Sequence, residues 1–205
     1  MESFEQFVAV AMEVDGLIVS EAVKFPVQRR TRKAVHDEVQ THGYEVDLIG
    51  ARADRLVLAT VKSFLGSRGV VADHVMGTGG SEKSRNLYML LNDPVIRSAV
   101  VTAAAERYGY REDQISLRLY VGRFAAPVKG THEPVIRAWA ATQHVGAGPI
   151  EVFGLQDVIG AVRTAAASKS YRDNAVLVTM KVLNAAGLLV DTDTSAVGDD
   201  VSDGP

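Results

Sequence analysis

Four polar side chains between residues 43 and 64 have the chemistry of a hydrolytic site. They are Glu45, Asp47, Thr60 and Lys62. Carboxylate oxygens are ligands that Mg²⁺ takes from proteins, and the ion keeps several of its waters. Bound Mg²⁺ lowers the pKa of such a water and polarises a phosphate, while a lysine ammonium neutralises charge on the phosphate oxygens. The four residues predict a site for cutting phosphodiesters or its remnant, against the simpler alternative of a salt-bridged or solvated sheet face.

The hydrophobic pattern places these side chains on two neighbouring strands. Residues 44–49 alternate between two faces, and residues 55–63 do the same. The intervening segment, ARAD, is short enough to join the two runs as an antiparallel hairpin. Because opposed residues on neighbouring strands lie close together, we expect Asp47 to share a face with Thr60 and Lys62.

Flanking elements are needed to position this hairpin. Apolar residues at helical spacing predict a helix over residues 2–13. A strand over 17–25, ended by Pro26, and a basic-to-acidic helix over 30–41 are expected next. Beyond the hairpin the pattern predicts a short strand at 70–75, helices at 82–91 and 93–108, a strand at 115–124, a helix at 133–143, a short strand at 150–154, and helices at 156–167 and 174–186.

The segment YEVDLIGARADRLVLATVKSF resembles the E-x-D, turn and (D/E)-x-K pattern of the PD-(D/E)xK superfamily, more narrowly that of archaeal Holliday-junction resolvases and related small nuclease-like proteins. The resemblance covers residues 2–64 by motif and extends to residue 122 by element order. It implies a restriction-endonuclease-like α/β fold, a mixed β-sheet flanked by helices, here with a C-terminal helical addition. It also implies that Asp47 is the metal-binding aspartate, Lys62 the catalytic lysine and Glu5 an additional acid on the first helix.

Thr60 departs from the family pattern, because it stands where the family has aspartate or glutamate. Two unit charges about 4 Å apart interact by about 4 kcal/mol at an effective dielectric constant of about 20, and a divalent ion about doubles this energy. Loss of one carboxylate would therefore weaken metal binding by several powers of ten unless Glu45 or Glu5 compensates. Further acids on flanking elements are Glu21, Glu38 and Glu82.

These residues favour two functions, and a scaffold unrelated to nucleic acid is a third possibility. The first is a DNA endonuclease or resolvase-like phosphodiesterase that depends on Mg²⁺ or Mn²⁺, with Asp47, Glu45 and Glu5 as metal ligands and Lys62 and Thr60 beside them. The second is a catalytically inactive nuclease-fold protein that binds DNA or a partner protein. The resemblance further suggests a homodimer, because nucleases of this fold that cut both strands are commonly dimers.

Contact with nucleic acid would have to come from local basic clusters, since the formal net charge is -3. The segment QRRTRK is one such cluster, although a solvated surface explains it equally well. The glycine-rich segment GTGGSEKS departs from a P-loop at Glu82, and a flexible connection is the better interpretation. The candidate DNA contacts are Arg29, Arg30, Arg32 and Lys33 in the first cluster and, more weakly, Lys83 and Arg85 in the second.

Composition limits the class of protein. A chain of 205 residues supports one substantial core, and we expect a nuclease-like domain over 1–153, a C-terminal helical addition over 154–190 and an acidic disordered tail over 191–205. The absence of cysteine excludes disulfides and thiol catalysis. No apolar run approaches the roughly 18 residues of a membrane span, so a cytoplasmic protein without a membrane segment is expected. The two C-terminal helices predict a packing cap or a helix-turn-helix.

Overall fold

The structure is a computed structural model that describes residues 2–30, 39–126, 132–168 and 173–189. For Arg29, Arg30 and Val39 it describes the backbone. The predicted tail over 191–205 lies outside the described residues.

A five-stranded mixed sheet forms the centre of the fold. Its strands stand in the order β1-β2-β3-β4-β7, with antiparallel pairing among the first three and parallel pairing from β3 to β4 and from β4 to β7. A separate two-stranded ribbon consists of β5 and β6. The strands are β1 Ile18–Arg30, β2 Val39–Arg52, β3 Arg55–Lys62, β4 Ile115–Val121, β5 His144–Val145, β6 Gly148–Pro149 and β7 Glu151–Phe153.

Helices cover both faces of this sheet. The predicted α/β class with a mixed, helix-flanked sheet is therefore confirmed. On one face lie α1 Ser3–Val14, α7 Leu155–Ala167 and α8 Ala175–Ala185, which share apolar contacts with one another. The core on the other face takes buried side chains from four helices, and a further short helix, α3 Glu82–Asn86, has no buried residue. Those four are α2 Ala72–Met76, α4 Met89–Asn92, α5 Pro94–Tyr108 and α6 His132–Thr142.

Strand β3 is buried on both faces and separates the two cores. Leu56 and Leu58 contribute to the core beneath α5, whereas Val57, Ala59 and Val61 contribute to the core beneath α1. A strand with helices on both sides carries apolar residues at nearly every position, and β3 does so. The polar residue Thr60 is therefore an exception within this strand, with 6% of its surface exposed.

Several predicted elements differ in the structure. Strand β1 continues through Pro26, because it is an edge strand and a proline without an N–H group is tolerated there. The helix predicted over 30–41 is wrong at both ends, since Arg30 belongs to β1 and residues 39–41 belong to β2 and pair with β1. Residues 31–38 lie outside the described part. The strand predicted at 70–75 is mostly α2, with Val70 alone bridging to Phe124. The helix predicted at 82–91 is divided into α3 and α4.

The elements with strong local signals agree with prediction. Asp93 caps α5, because its side chain accepts hydrogen bonds from Val95 N at 3.0 Å and Ile96 N at 3.2 Å. Gly109 ends the same helix with a φ of 75°, which glycine adopts easily. Of the helices in the described ranges, none is long and apolar enough to cross a membrane.

Candidate functional site

The candidate site lies where β2 separates from β3. The ladder between the two strands ends at the pair Leu48 and Ala59, while β3 remains paired with β4 as far as Lys62. Val46 packs in the core beneath α5 and Leu48 in the core beneath α1, so the alternation of β2 changes phase between them. Asp47 lies at this change of phase, at the point where β2 and β3 separate. We call this point the fork.

Asp47 is held by three donors at the fork. Its Oδ2 atom accepts hydrogen bonds from the backbone N of Val61 at 2.7 Å and from Thr60 Oγ1 at 3.0 Å. Lys62 Nζ lies 3.5 Å from the same oxygen. The Val61 N–H thus bonds to a carboxylate where β2 has left the ladder, and this contact fixes the position of Asp47. The structure therefore brings together Asp47, Thr60 and Lys62.

A cleft of about 240 Å³ opens beside these residues, and we call it the site cleft. Glu5 reaches it from the first turn of α1, and Glu2 precedes that helix. Glu2 donates its backbone N–H to Glu5 Oε2 at 2.9 Å and accepts a hydrogen bond from Ser63 Oγ at 3.3 Å. The complete lining consists of Glu2, Glu5, Asp47, Val61, Lys62, Ser63 and Phe64.

The charges around the site cleft favour a cation. Three carboxylates, from Glu2, Glu5 and Asp47, face a single ammonium from Lys62. A polyanion such as DNA would be repelled by this balance unless positive charge entered the cleft with it. The lining is thus more suited to a cation with a phosphate beside it than to a phosphate alone.

The oxygen donors of the site cleft fit a hard divalent ion. Mg²⁺ is held in proteins by one or two carboxylates and retains several waters. The carboxylates of Asp47 and Glu5 therefore match its ligands in type and number. In the described part of the chain, no three acidic or histidine side chains form a group that could hold a metal ion. Binding would therefore depend on waters and on few protein ligands.

Glu45 lies outside the site cleft. Beyond the fork β2 pairs only with β1, and Glu45 forms an ion pair with its cross-strand partner Lys24 at 3.5 Å. The side chains of both residues are at least half exposed. Neither Glu21 nor Glu82 lines the cleft, and Glu38 lies outside the described residues.

Of the basic residues predicted to bind DNA, neither Lys83 nor Arg85 is part of the lining. Arg29 and Arg30 are the last two residues of β1, whereas Arg32 and Lys33 fall outside the described residues. Lys83 and Arg85 stand on the short helix α3. Lys83 is exposed, and Arg85 Nη1 donates a hydrogen bond to the carbonyl of Gly80 at 2.6 Å.

The chain after Lys62 is held in a strained turn. Phe64 has a φ of 41°, in a region that costs a residue other than glycine about 1–3 kcal/mol. Its carbonyl accepts hydrogen bonds from Ser67 N at 3.1 Å and Ser67 Oγ at 3.3 Å. Gly122 allows the close approach of this segment to β4, because a Cβ there would lie 2.4 Å from Ser63 O. The hydrogen bonds from Ser67 and the close packing at Gly122 therefore hold Phe64 in its strained backbone conformation beside the cleft.

A second polar group, missed by the sequence reasoning, surrounds Arg118. This arginine lies on the buried strand β4 with 3% of its side chain exposed. It forms ion pairs with Asp15 and Glu151, each at 2.7 Å, and donates to the Tyr120 hydroxyl at 3.0 Å. Its guanidinium also lies 5.0 Å from the centre of the Phe153 ring. A charged residue in the middle of the apolar run ISLRLYV was the signal that could have revealed this network.

The neighbouring Tyr120 predicts a loss of stability at alkaline pH. Burial raises the pKa of Tyr120 to about 12 from an ordinary value of 10.0, while Arg118 lowers it in part. The unfolded chain releases this proton from about pH 10, but the folded chain keeps it until about pH 12, so stability falls as the pH rises through this window. We expect a loss of about 2 kcal/mol in the free energy of unfolding.

Urea unfolding of the wild type and of Tyr120→Phe between these pH values measures that loss. Burial also raises the pKa of Tyr44 and of Tyr88, so only the difference between the two proteins reports on Tyr120. Stability that declines equally in both proteins would contradict the prediction.

Comparison with known proteins does not assign this chain to a family. No protein-family model matches the sequence, and no curated protein is significantly similar to it. The geometry of the site cleft is therefore the basis for a functional proposal.

Proposed function

We propose that this chain is a divalent-metal-dependent DNA endonuclease or resolvase-like phosphodiesterase with its active site at the site cleft. The observation that carries the proposal is the contact of Asp47 with Thr60 and Lys62 at the fork, in a cleft that Glu5 also lines. The element order supports it as well: a helix, three strands, further helices and a fourth strand follow one another as the PD-(D/E)xK resemblance implies.

The side chains of the cleft have separate roles in this proposal. Asp47 and Glu5 hold Mg²⁺ or Mn²⁺, which when bound supplies an acidified water and polarises the phosphate. The Thr60 hydroxyl and the Val61 N–H orient the Asp47 carboxylate. Lys62 orients the attacking water and neutralises charge on the phosphate oxygens, because its ammonium lies next to the carboxylate that holds the ion.

DNA would be bound by basic residues other than Lys62. The candidates remain Arg29, Arg30, Arg32 and Lys33, with Lys83 and Arg85 as weaker ones. Binding through such phosphate contacts weakens as salt concentration rises, because counterions are released. A homodimer would supply a second site for the opposite strand.

A second candidate function is DNA or protein binding without cleavage. It is favoured by Thr60, which is uncharged and buried where the family pattern has a carboxylate. It is favoured also by Asp47, whose Oδ2 atom already accepts from three donors. In this case the fork would be a structural ion pair within an inactive nuclease-like fold.

Cleavage assays on plasmid and branched DNA decide between the two functions. We expect the full-length protein to nick DNA with Mg²⁺ or Mn²⁺ and not with EDTA. Asp47→Asn and Lys62→Gln are expected to reduce the rate about a hundredfold, because each removes charge from the reacting centre. Lys24→Gln is the matched control, since Lys24 pairs with Glu45 outside the cleft.

The same proteins are then titrated with metal by calorimetry. Metal binding that Asp47→Asn abolishes supports the enzyme. DNA binding with neither metal binding nor cleavage supports the binding protein. Equal cleavage by Lys24→Gln and Lys62→Gln would contradict an active site at the fork.

A further inference from the structure

A second space adjoins the site cleft and is not used by the proposed chemistry. We call it the side hollow, and its volume is about 620 Å³. This volume lies within the range of about 300–1,000 Å³ typical of small-molecule sites. The side hollow shares Glu2, Ser63 and Phe64 with the site cleft, so the two spaces meet along one wall. Its complete lining is Glu2, Ser3, Phe4, Ser63, Phe64, Leu65, Gly66 and Ser67.

The chemistry of the side hollow suits a neutral, flat group. Leu65 is 50% exposed, and Phe64 is partly exposed beside it, so an apolar surface faces the space. Three serines, Ser3, Ser63 and Ser67, add hydroxyl groups around this surface. Among the described residues no lysine or arginine lines the hollow, and Glu2 contributes a carboxylate. A phosphate is therefore disfavoured there, whereas a nucleobase has apolar faces and polar edges that match.

The strained turn places Phe64, which packs in part against the core beneath α5, at the wall that the two spaces share. The positive φ of Phe64 is maintained by the two hydrogen bonds from Ser67 to its carbonyl. Residues in such conformations concentrate at ligand-binding and active sites. Aromatic side chains stack on bases of any sequence, because every base has a π-face. The exposed part of Phe64, which lines both spaces, is thus available to stack on the base next to a bound phosphate.

From this geometry we infer that the side hollow receives an unpaired nucleobase adjacent to the scissile phosphate. The inference rests on the proposed function and specifies its substrate class. A base inside a duplex is paired and stacked, and it enters such a pocket only after it has been flipped out. Flipping costs least at a mismatched, damaged or single-stranded base. The substrate is therefore DNA with an unpaired nucleotide beside the cut, in preference to continuous duplex.

Binding of oligonucleotides that carry fluorescent 2-aminopurine tests this inference without requiring cleavage. The probe is placed at one unpaired position or in a matched duplex of the same sequence, and full-length protein is titrated with Ca²⁺ in place of Mg²⁺. We expect the unpaired probe to bind about tenfold more tightly, with fluorescence quenched by stacking. Phe64→Gly and Leu65→Ser are expected to remove most of this preference.

The variants are chosen so that folding does not obscure the result. Glycine adopts the positive φ of residue 64 without strain but gives up the packing of Phe64 against the core beneath α5, so Leu65→Ser, at a half-exposed side chain, is the second variant. Leu188→Ser is the matched control, because Leu188 is 68% exposed and lines neither space. It should keep the preference of the wild type.

Cleavage of the same oligonucleotides in Mg²⁺ separates this inference from the proposed function. If the protein cleaves DNA but binds paired and unpaired oligonucleotides with equal affinity, the inference about the side hollow is refuted and the proposed function is not. A preference that both Phe64→Gly and Leu65→Ser retain also refutes it. A preference lost in those variants, but without cleavage by the wild type, supports the side hollow and refutes the nuclease. Absence of DNA binding refutes both.

Discussion

Replacement of Thr60 by aspartate is expected to tighten the binding of Mg²⁺ to Asp47 about a thousandfold. Thr60 Oγ1 lies 3.0 Å from Asp47 Oδ2, and aspartate is similar in size to threonine, so the new carboxylate would stand beside the existing one. The attraction of a divalent ion to one further carboxylate at about 4 Å is about 8 kcal/mol at a dielectric constant of about 20. About half of this energy, after desolvation and ordering of the side chain, corresponds to about a thousandfold.

The same substitution is expected to destabilise the protein without metal. Two carboxylates about 3 Å apart repel each other, and one of them would be forced to bind a proton. Mg²⁺ should restore the lost stability, because a ligand that binds only the folded chain stabilises it. Thermal unfolding with and without Mg²⁺, together with calorimetric titration, measures both effects.

Thr60→Asn is the matched control for this prediction. Asparagine has the size of aspartate and no charge, so it should neither tighten metal binding nor produce a stability that depends on Mg²⁺. If Thr60→Asp binds Mg²⁺ no better than Thr60→Asn does, residue 60 is not a ligand position for an ion held by Asp47. The function without hydrolysis would then be favoured.

Removal of both carboxylates around Arg118 is expected to lower the free energy of unfolding by about 3 kcal/mol. Asp15 and Glu151 are the ion-pair partners of this buried guanidinium. Asp15→Ala with Glu151→Ala would leave the arginine charge buried without a counter-charge, and such uncompensated charges cost about 3–5 kcal/mol. We take the lower value because the two carboxylates are 41% and 43% exposed, so water already reaches the network. The melting temperature should fall by about 10 °C.

Addition of Arg118→Met to that double variant should recover most of the loss. Methionine fills the space of the arginine stem and brings no charge into the core, and apolar replacements of buried ion pairs are often neutral or stabilising. Asp113→Ala is the control for removal of an exposed carboxylate, because its ion pair with Arg111 is exposed on both sides and should matter little. A triple variant as unstable as the double one would show that Arg118 is not the source of the cost.

The parts of the fold that the sequence predicted correctly depend on short-range interactions. Helix α5 begins at the Asp93 cap and ends at Gly109, and both signals act within one helical turn. The hairpin of β2 and β3 also followed from local pattern, because a short connection between two alternating strands sets their register.

Elements whose form depends on a distant partner were predicted less well. Pro26 does not end β1, because β1 is an edge strand on which a missing N–H group is harmless. The sheet order shows this edge position, and the local sequence does not. Residues 39–42 have no strong strand signal of their own, and they become a strand by pairing with β1.

The candidate site likewise contains features that follow from short-range interactions and features that depend on distant segments. The sequence by itself determined the hairpin of β2 and β3, because the short connection sets the register. The separation of the strands beyond Leu48, where Asp47 meets Lys62, was decided by the tertiary structure. Only the tertiary structure decided that Glu5 lines the site cleft while Glu45 pairs with Lys24 outside it. It also decided that Asp15 and Glu151 meet the charge of Arg118. These contacts join segments far apart in the chain, and their geometry follows from the packing of helices on the sheet, which the periodicity of any one segment does not contain.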